Sequence, residues 1–292
     1  MEKEFETKGG FITYRENEDD VTITGYRGRI LEAVIPETLQ GKIVTEIAKK
    51  AFLGCKSLCR AEVPKTCQRI GEWAFASCSH LETIVLPRTV IDFGQGCFRQ
   101  NDALSQIVIP GAEETSCLLA AAVTQLDAAY FLRPEETGTR EWIGKWDLAM
   151  NAFLNEADEE GYQKMVLCGE EDLSASLDDF LAEKRRKKAR LCLLRLLNPK
   201  GLTKERKQEL ESFLQNHTKG CESEAAWEVV LWEHGEEKPY FELFTSLGCV
   251  TEENFEAILA DFGDRHAQMK SYLMEYHDDG IRTQDFFDSL SL

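Results

Sequence analysis

The chain has 292 residues, 43% hydrophobic and 29% charged, with 10 cysteines and a formal net charge of −18. That is the composition of a soluble folded protein of about two domains, not of a disordered or fibrous one. The charge is uneven, net −1 over residues 1–111 and net −17 over 112–292; acid on this scale repels phosphate backbones and anionic lipid, which argues against nucleic acid and membrane as partners.

The residues after Met1, EKEFETKGG, are charged rather than apolar, and no stretch approaches the ~20 apolar residues of a membrane span. The predicted setting is cytoplasmic and reducing, with the cysteines held as thiols. The next segment, FITYRENEDDVTITGYRGRILEAVIP, holds three short alternating runs separated by ENEDD and RGR, the pattern of a small hairpin meander.

From there the chain repeats. Phe52, Phe75 and Phe98 recur at an offset of 23, and so do Leu58, Leu81 and Leu104. Ile47, Ile70 and Phe93 form another column, and Pro64, Pro87 and Pro110 a fourth. Cys55 and Cys78 share a column in which the third repeat has Asn101. A coil of about 23 residues cannot bury its own apolar face, whereas stacked coils cover one another. Each repeat has one alternating run ending in proline, RAEVP, TIVLP or QIVIP. Alternation reads as a strand, and proline ends it for want of an N–H. About three repeats are countable, so the last coil needs a lid, and the chain after Pro110 is the candidate.

The run Ile70 to Phe75, the Cys78 to Leu81 spacing and the run Ile84 to Pro87 resemble the BspA-like (Treponema-type) leucine-rich repeat family over residues 10–111. The resemblance implies a leucine-rich-type solenoid, with FITYR to AVIP as its N-terminal cap. The first coil departs from the pattern. Pro36 to Ile47 is 11 residues where Pro64 to Ile70 is 6, so five extra residues around ETLQGK predict a bulge or loop.

After Gly111 helical spacing takes over, suggesting three or four helix pairs. Gly201 and Gly235 fall where helices should stop, and Thr203 and Thr251 are predicted N-caps. EAILADFGDRHAQMKSYLMEYHDD resembles an ankyrin repeat, a helix, a short turn and a longer helix, although Asn254 to Ala257 replace the usual Thr-Pro-Leu-His opening. The fold class is α+β: a short leucine-rich-type β-solenoid at 1–111, followed by an all-helical, ankyrin-like repeat domain at 112–292.

Nothing in the pattern points to chemistry. The cysteines lack the two close pairs of a zinc site. Cys55 and Cys78 read as a ladder of buried thiols, with a redox pair between coils as the sharper alternative. Cys168, Cys192, Cys221 and Cys249 read as helix-core or turn residues. None of the five histidines falls in a metal-binding motif, and His217 and His234 follow helices. Acid pairs such as Asp178–Asp179 and Asp278–Asp279 are ordinary on solvated faces. No catalytic residue, cofactor or metal site is predicted. The run Lys184 to Arg190 is either a docking patch for an acidic partner or a solvated helix face paired with Asp178, Asp179 and Glu183. Trp227, Trp232, Tyr240, Phe241 and Phe244 read as core.

Strand side chains alternate. With Ala61, Val63, Ile84, Leu86, Ile107 and Ile109 pointing in, Arg60, Glu62, Thr83, Val85, Gln106 and Val108 point out. Those six form the candidate partner-binding set. The expected function is a non-catalytic protein–protein interaction module. The alternatives are an adhesin-like surface protein and an enzyme with its site in the helical half.

Overall fold

The computed structural model describes residues 2–7, 9–162 and 176–290, the side chains of 279–290 excepted. Cys168 and the side chain of Asp279 lie outside the described residues. The chain divides into two compact units, Met1–Phe153 and Leu154–Leu292.

The first unit opens with β1 (Glu2–Thr7), β2 (Gly10–Glu16) and β3 (Asp20–Gly28), an antiparallel meander. The predicted cap is there, but its strands differ. EKEFET forms β1, and the third predicted run forms β4 (Glu32–Val34), which leaves the meander for the coil sheet. β1 lacks a clear apolar face, so its pairing with β2 shows only in the fold. The five extra residues are a hairpin. β5 (Thr38–Leu39) turns through Gln40 and Gly41, both at positive φ, into β6 (Lys42–Ile47). Two central residues at positive φ match the twist of paired strands.

Each later coil carries two strands, one more than the sequence pattern shows. β7 (Arg60–Glu62), β9 (Thr83–Val85) and β11 (Gln106–Val108) join β4 in a four-stranded parallel sheet. β8 (Arg69–Ile70) and β10 (Asp92–Phe93) continue the other sheet in the order β1-β2-β3-β6-β8-β10, with β5 against β6. The second ladder escapes sequence reading because two residues carry no visible alternation. Four coils are present, where about three repeats were countable.

The Phe and Leu columns are buried as expected, whereas Phe93 and Cys55 are half-buried and Pro110 is exposed. Tyr26, Phe52, Phe75 and Phe98 stack in one row, with successive centroids 5.7, 4.8 and 5.9 Å apart and interplanar angles of 11°, 11° and 24°. Tyr26, from the cap, begins the row. The prolines act as read: the N–H before each of the first three prolines is used, Ile35 to Glu62 O, Val63 to Val85 O and Leu86 to Val108 O, and the ladder then stops.

Two backbone columns set the coil turns. Lys50, Trp73 and Gly96 lie at φ near +60°, and so do Gly54, Ser77 and Gln100. The bend thus recurs every 23 residues whether or not glycine supplies it. Gly71 and Gly94 are needed for another reason, close approach. A Cβ on Gly94 would sit 2.1 Å from Glu72 N, and one on Gly71 would sit 2.4 Å from Lys49 N. Gly94→Ala must push two coil backbones apart. It is expected to destabilise this unit by about 2–3 kcal/mol, the cost of overpacking a filled site; chemical denaturation measures it, and a loss under about 0.5 kcal/mol would contradict the contact.

The lid is helical. α1 (Ser116–Thr124) packs on β11, the last coil strand. The helix stops at Gln125–Ala128, and the chain resumes as a 3-10 turn at Ala129–Phe131. α2 (Arg140–Leu154) is tied to both pieces: Trp146 Nε1 donates to Leu118 O at 2.8 Å, and Trp142 Nε1 to Phe131 O at 3.2 Å. Arg88, from the second-to-last coil, donates to Pro110 O and Pro134 O. These ties explain why the compact unit runs on to Phe153.

The second unit holds α3 (Leu177–Leu197), α4 (Lys204–Gln215), α5 (Ala225–Glu233), α6 (Lys238–Ser246), α7 (Phe255–Phe262) and α8 (Ala267–Leu290). α3 packs against α4, α5 and α6, and α8 packs against α6 and α7. Successive pairs are pinned by Trp227 Nε1 to Asp261 Oδ2 at 2.8 Å and Thr218 Oγ1 to Cys249 O at 2.8 Å. Trp227, Phe241 and Phe244 are core as read, but Tyr240 is half-buried and Trp232 is exposed. Thr203 caps α4, accepting from Arg206 N. Thr251 does not cap α7: Asn254 occupies the cap position, and its Oδ1 accepts from Thr251 N at 2.8 Å.

Candidate interaction surface

The six predicted residues lie on one face of the parallel sheet. Register places Arg60, Thr83 and Gln106 side by side, then Ala61, Ile84 and Ile107, then Glu62, Val85 and Val108. The middle row is buried. Arg60, Thr83, Val85 and Val108 are half-buried, and Glu62 and Gln106 are exposed.

Sequence reasoning missed a fourth pair. β4 adds Glu32 beside Arg60 and Val34 beside Glu62. The signal was present, since EAVIP matches RAEVP at 28 residues, which is the repeat plus the five residues of the hairpin. With β4 included, one row runs Glu32, Arg60, Thr83, Gln106 and the other Val34, Glu62, Val85, Val108. Val34 is 59% exposed. Arg60 Nε lies 3.1 Å from Glu32 Oε1, and both side chains are open to water; such a pair contributes little to stability and leaves its charges usable. A cavity of about 610 Å³ lies elsewhere on this unit, bordered by Trp73, Gly96 and Asp127, and none of the eight face residues lines it.

The basic run 184–190 is not a fully solvated face: Arg185, Arg186 and Arg190 are half-buried, and the predicted partner Glu183 pairs with Arg186 and Arg190. Lys184 and Lys188 are buried. Lys184 Nζ donates to Ala157 O and Glu160 O at 2.8 Å, and Lys188 Nζ to Glu156 O at 2.6 Å and Asp158 Oδ1 at 2.8 Å. Arg185 Nε meets Asp158 Oδ2 at 2.7 Å, and Arg190 spans Glu183 and Glu233. Burial favours the neutral form of Asp158, but Arg185 and Lys188 outweigh it and hold the carboxyl below its usual range. The expected acidic partners Asp178 and Asp179 give way to Glu156, Asp158, Glu228 and Glu233, which only tertiary packing brings near.

The histidines of the second unit are engaged in packing. His234 stacks on Tyr240 at 3.6 Å and meets Glu237 Oε1 at 2.8 Å; His277 stacks on Phe255 at 3.8 Å and meets Glu252 Oε2 at 3.0 Å. His266 meets Glu236 Oε1 at 2.7 Å, and His217 stacks on Phe213. Among the described residues, no group of three or more His, Cys, Asp or Glu could hold a metal ion, and no helix is long and apolar enough to cross a membrane.

No curated protein matches the chain. Three solved structures are similar to part of it. A leucine-rich repeat protein of T. pallidum is 34% identical over 35% of this chain and 48% of its own, with a TM-score of 0.33. A leucine-rich repeat protein from Bacteroides ovatus is 30% identical over 36% of this chain and 29% of its own, with a TM-score of 0.32. A leucine rich cell surface protein from Faecalibacterium prausnitzii is 24% identical over 35% and 29%, with a TM-score of 0.32. The chain thus spans less than half the length of each. Residues 31–122, from the approach to β4 into α1, match the family model described as the BspA type leucine rich repeat region.

Proposed function

We propose that this chain is a non-catalytic protein–protein interaction module whose contact surface is the open face of the parallel sheet. Arg60, Glu62, Thr83, Val85, Gln106 and Val108 form it, with Glu32 and Val34 at its edge. The carrying observation is the row Val34, Glu62, Val85, Val108: three β-branched apolar side chains in register on the outer side of a sheet whose inner side is already filled. Apolar rows rimmed by Arg60, Glu32 and Gln106 have the composition of a small contact patch. The partner is a protein rather than nucleic acid or membrane, in keeping with the net charge of −18. A cytoplasmic location, a repeat solenoid over 1–111 ahead of its helical lid, and an ankyrin-like helical domain belong to the same reading. The last draws support from the helix–turn–longer-helix pattern of α7 and α8.

The double variant Val85→Asp, Val108→Asp tests it. With the full chain as bait, quantitative mass spectrometry compares wild type, the double variant and an exposed control, Lys56→Glu. Partners of this face are expected to fall at least about tenfold with the double variant, since two buried charges in a contact core cost several kcal/mol, and to be unchanged in the control. Equal recovery by a double variant that still melts cooperatively rules the face out.

A further inference from the structure

The column of Cys55, Cys78 and Asn101 carries chemistry that neither the fold nor the contact face requires. The turn backbones that hold the two cysteines are locked one coil apart, with Phe52 N donating to Ala74 O at 2.7 Å and Gly54 N to Ala76 O at 2.9 Å. Coils in such register lie about 4.8 Å apart, inside the Cα window of a disulfide at about 4.4–6.8 Å. The Cys78 thiol donates to Phe52 O at 3.1 Å, the same carbonyl that accepts from Cys55 N at 3.2 Å, so the buried thiol sits under the Cys55 turn.

One coil on, Asn101 makes the equivalent bond: its Nδ2 donates to Phe75 O at 2.9 Å, and its Oδ1 accepts from Cys78 N at 2.8 Å. A carboxamide therefore satisfies this column's structural demand as well as a thiol does. Two adjacent thiols add something a carboxamide cannot, a two-electron oxidation. The pair is also asymmetric. Cys55 is half-buried, whereas Cys78 is fully buried.

We infer that Cys55 and Cys78 form an oxidisable dithiol site, which a low-molecular-weight disulfide such as oxidised glutathione converts to a disulfide joining two neighbouring coils. Cys55 is the attacking sulfur. Its contact with Cys78 draws its pKa below the usual thiol value, while Cys78 itself is pushed well up by that contact and by burial. Thiolate fraction and access both favour Cys55. Its thiolate displaces one glutathione thiolate from the oxidised dimer and becomes a mixed disulfide. Cys78 then gives up its proton and attacks the Cys55 sulfur, expelling the second glutathione thiolate. The protein loses two electrons and two protons, and one oxidised glutathione becomes two reduced ones.

The test equilibrates the full chain in buffers of graded reduced-to-oxidised glutathione, quenches with acid and maps peptides without reduction. The expected product is one cross-linked species joining the Cys55 and Cys78 peptides, lighter by two hydrogens, reversed by dithiothreitol and unaffected by Cys59→Ser. Its thermal midpoint should rise by several degrees, as for a closed loop of this length. Cys78→Asn, which copies the third coil and should fold, must abolish the cross-link and leave Cys55 glutathionylated. Oxidation that stops at a mixed disulfide in the wild type, or that joins Cys55 to Cys59 instead, overturns the inference.

Discussion

Phe75→Ala is expected to cost the first unit about 4 kcal/mol and to lower its melting temperature by about 10 °C. Phe75 is fully buried and sits between Phe52 and Phe98, with ring centroids 4.8 and 5.9 Å away. Truncation removes its transfer free energy, leaves a void that the coils on both sides cannot fill, and breaks two ring contacts at once. Coils are stabilised chiefly by their neighbours, so the loss falls on two interfaces rather than one. Phe75→Leu keeps most of the volume and should cost about 1–2 kcal/mol, the difference reporting the stacking. Denaturant unfolding followed by circular dichroism measures both. A Phe75→Ala loss below about 1 kcal/mol would mean that the row is not the core of the solenoid.

Asp158→Asn is expected to destabilise the second unit by about 3 kcal/mol, because it takes the carboxylate from Lys188, whose side chain is only 7% exposed, and from Arg185. Lys188 keeps the Glu156 carbonyl but loses its counter-charge. Lys188→Met should cost less, since Asp158 retains Arg185 and is itself part-exposed. The same site sets a pH dependence. Burial acts to raise the Asp158 carboxyl, and the hydrogen bonds and charges of Arg185 and Lys188 more than reverse it, so its folded pKa lies below the ordinary carboxylate value. Glu183 is lowered against its own burial by Arg190 and Arg186. A depressed folded pKa contributes stability that is fully present above the unfolded value, about 3.9 for Asp, and is lost as pH falls through the folded one. The second unit should therefore weaken below about pH 4, and Asp158→Asn should flatten that part of the curve. An acid limb with the same slope in wild type and variant would remove Asp158 from the account.

The legibility of this chain follows from the spacing of its interactions. The solenoid repeats every 23 residues, so each buried position in one coil is echoed in the next, and Phe52, Phe75 and Phe98 can be placed in one row before any coordinates are seen. The six face residues follow from alternation once the inner row is known. β4 was missed because the five extra residues of the β5–β6 hairpin displaced its echo from 23 to 28. β8 and β10 were missed because a two-residue strand has no periodicity to read.

The second unit shows the opposite case. Helical period there marks where helices run, but not which charges meet. Lys184 to Arg190 reads as a surface stripe; its predicted partner Glu183 does pair with Arg186 and Arg190, but the other partners lie about 30 and 40 residues away along the chain, at Glu156, Asp158, Glu228 and Glu233. The sequence by itself determined the coil register, the buried columns and the outward-facing row, because coil contacts are made at a constant separation along the chain. Tertiary structure alone decided that Lys184 and Lys188 of the basic run are buried, that Trp232 is exposed and that the compact unit extends through α2. Those outcomes depend on which helix faces meet, and contacts at irregular separation leave no period in the chain.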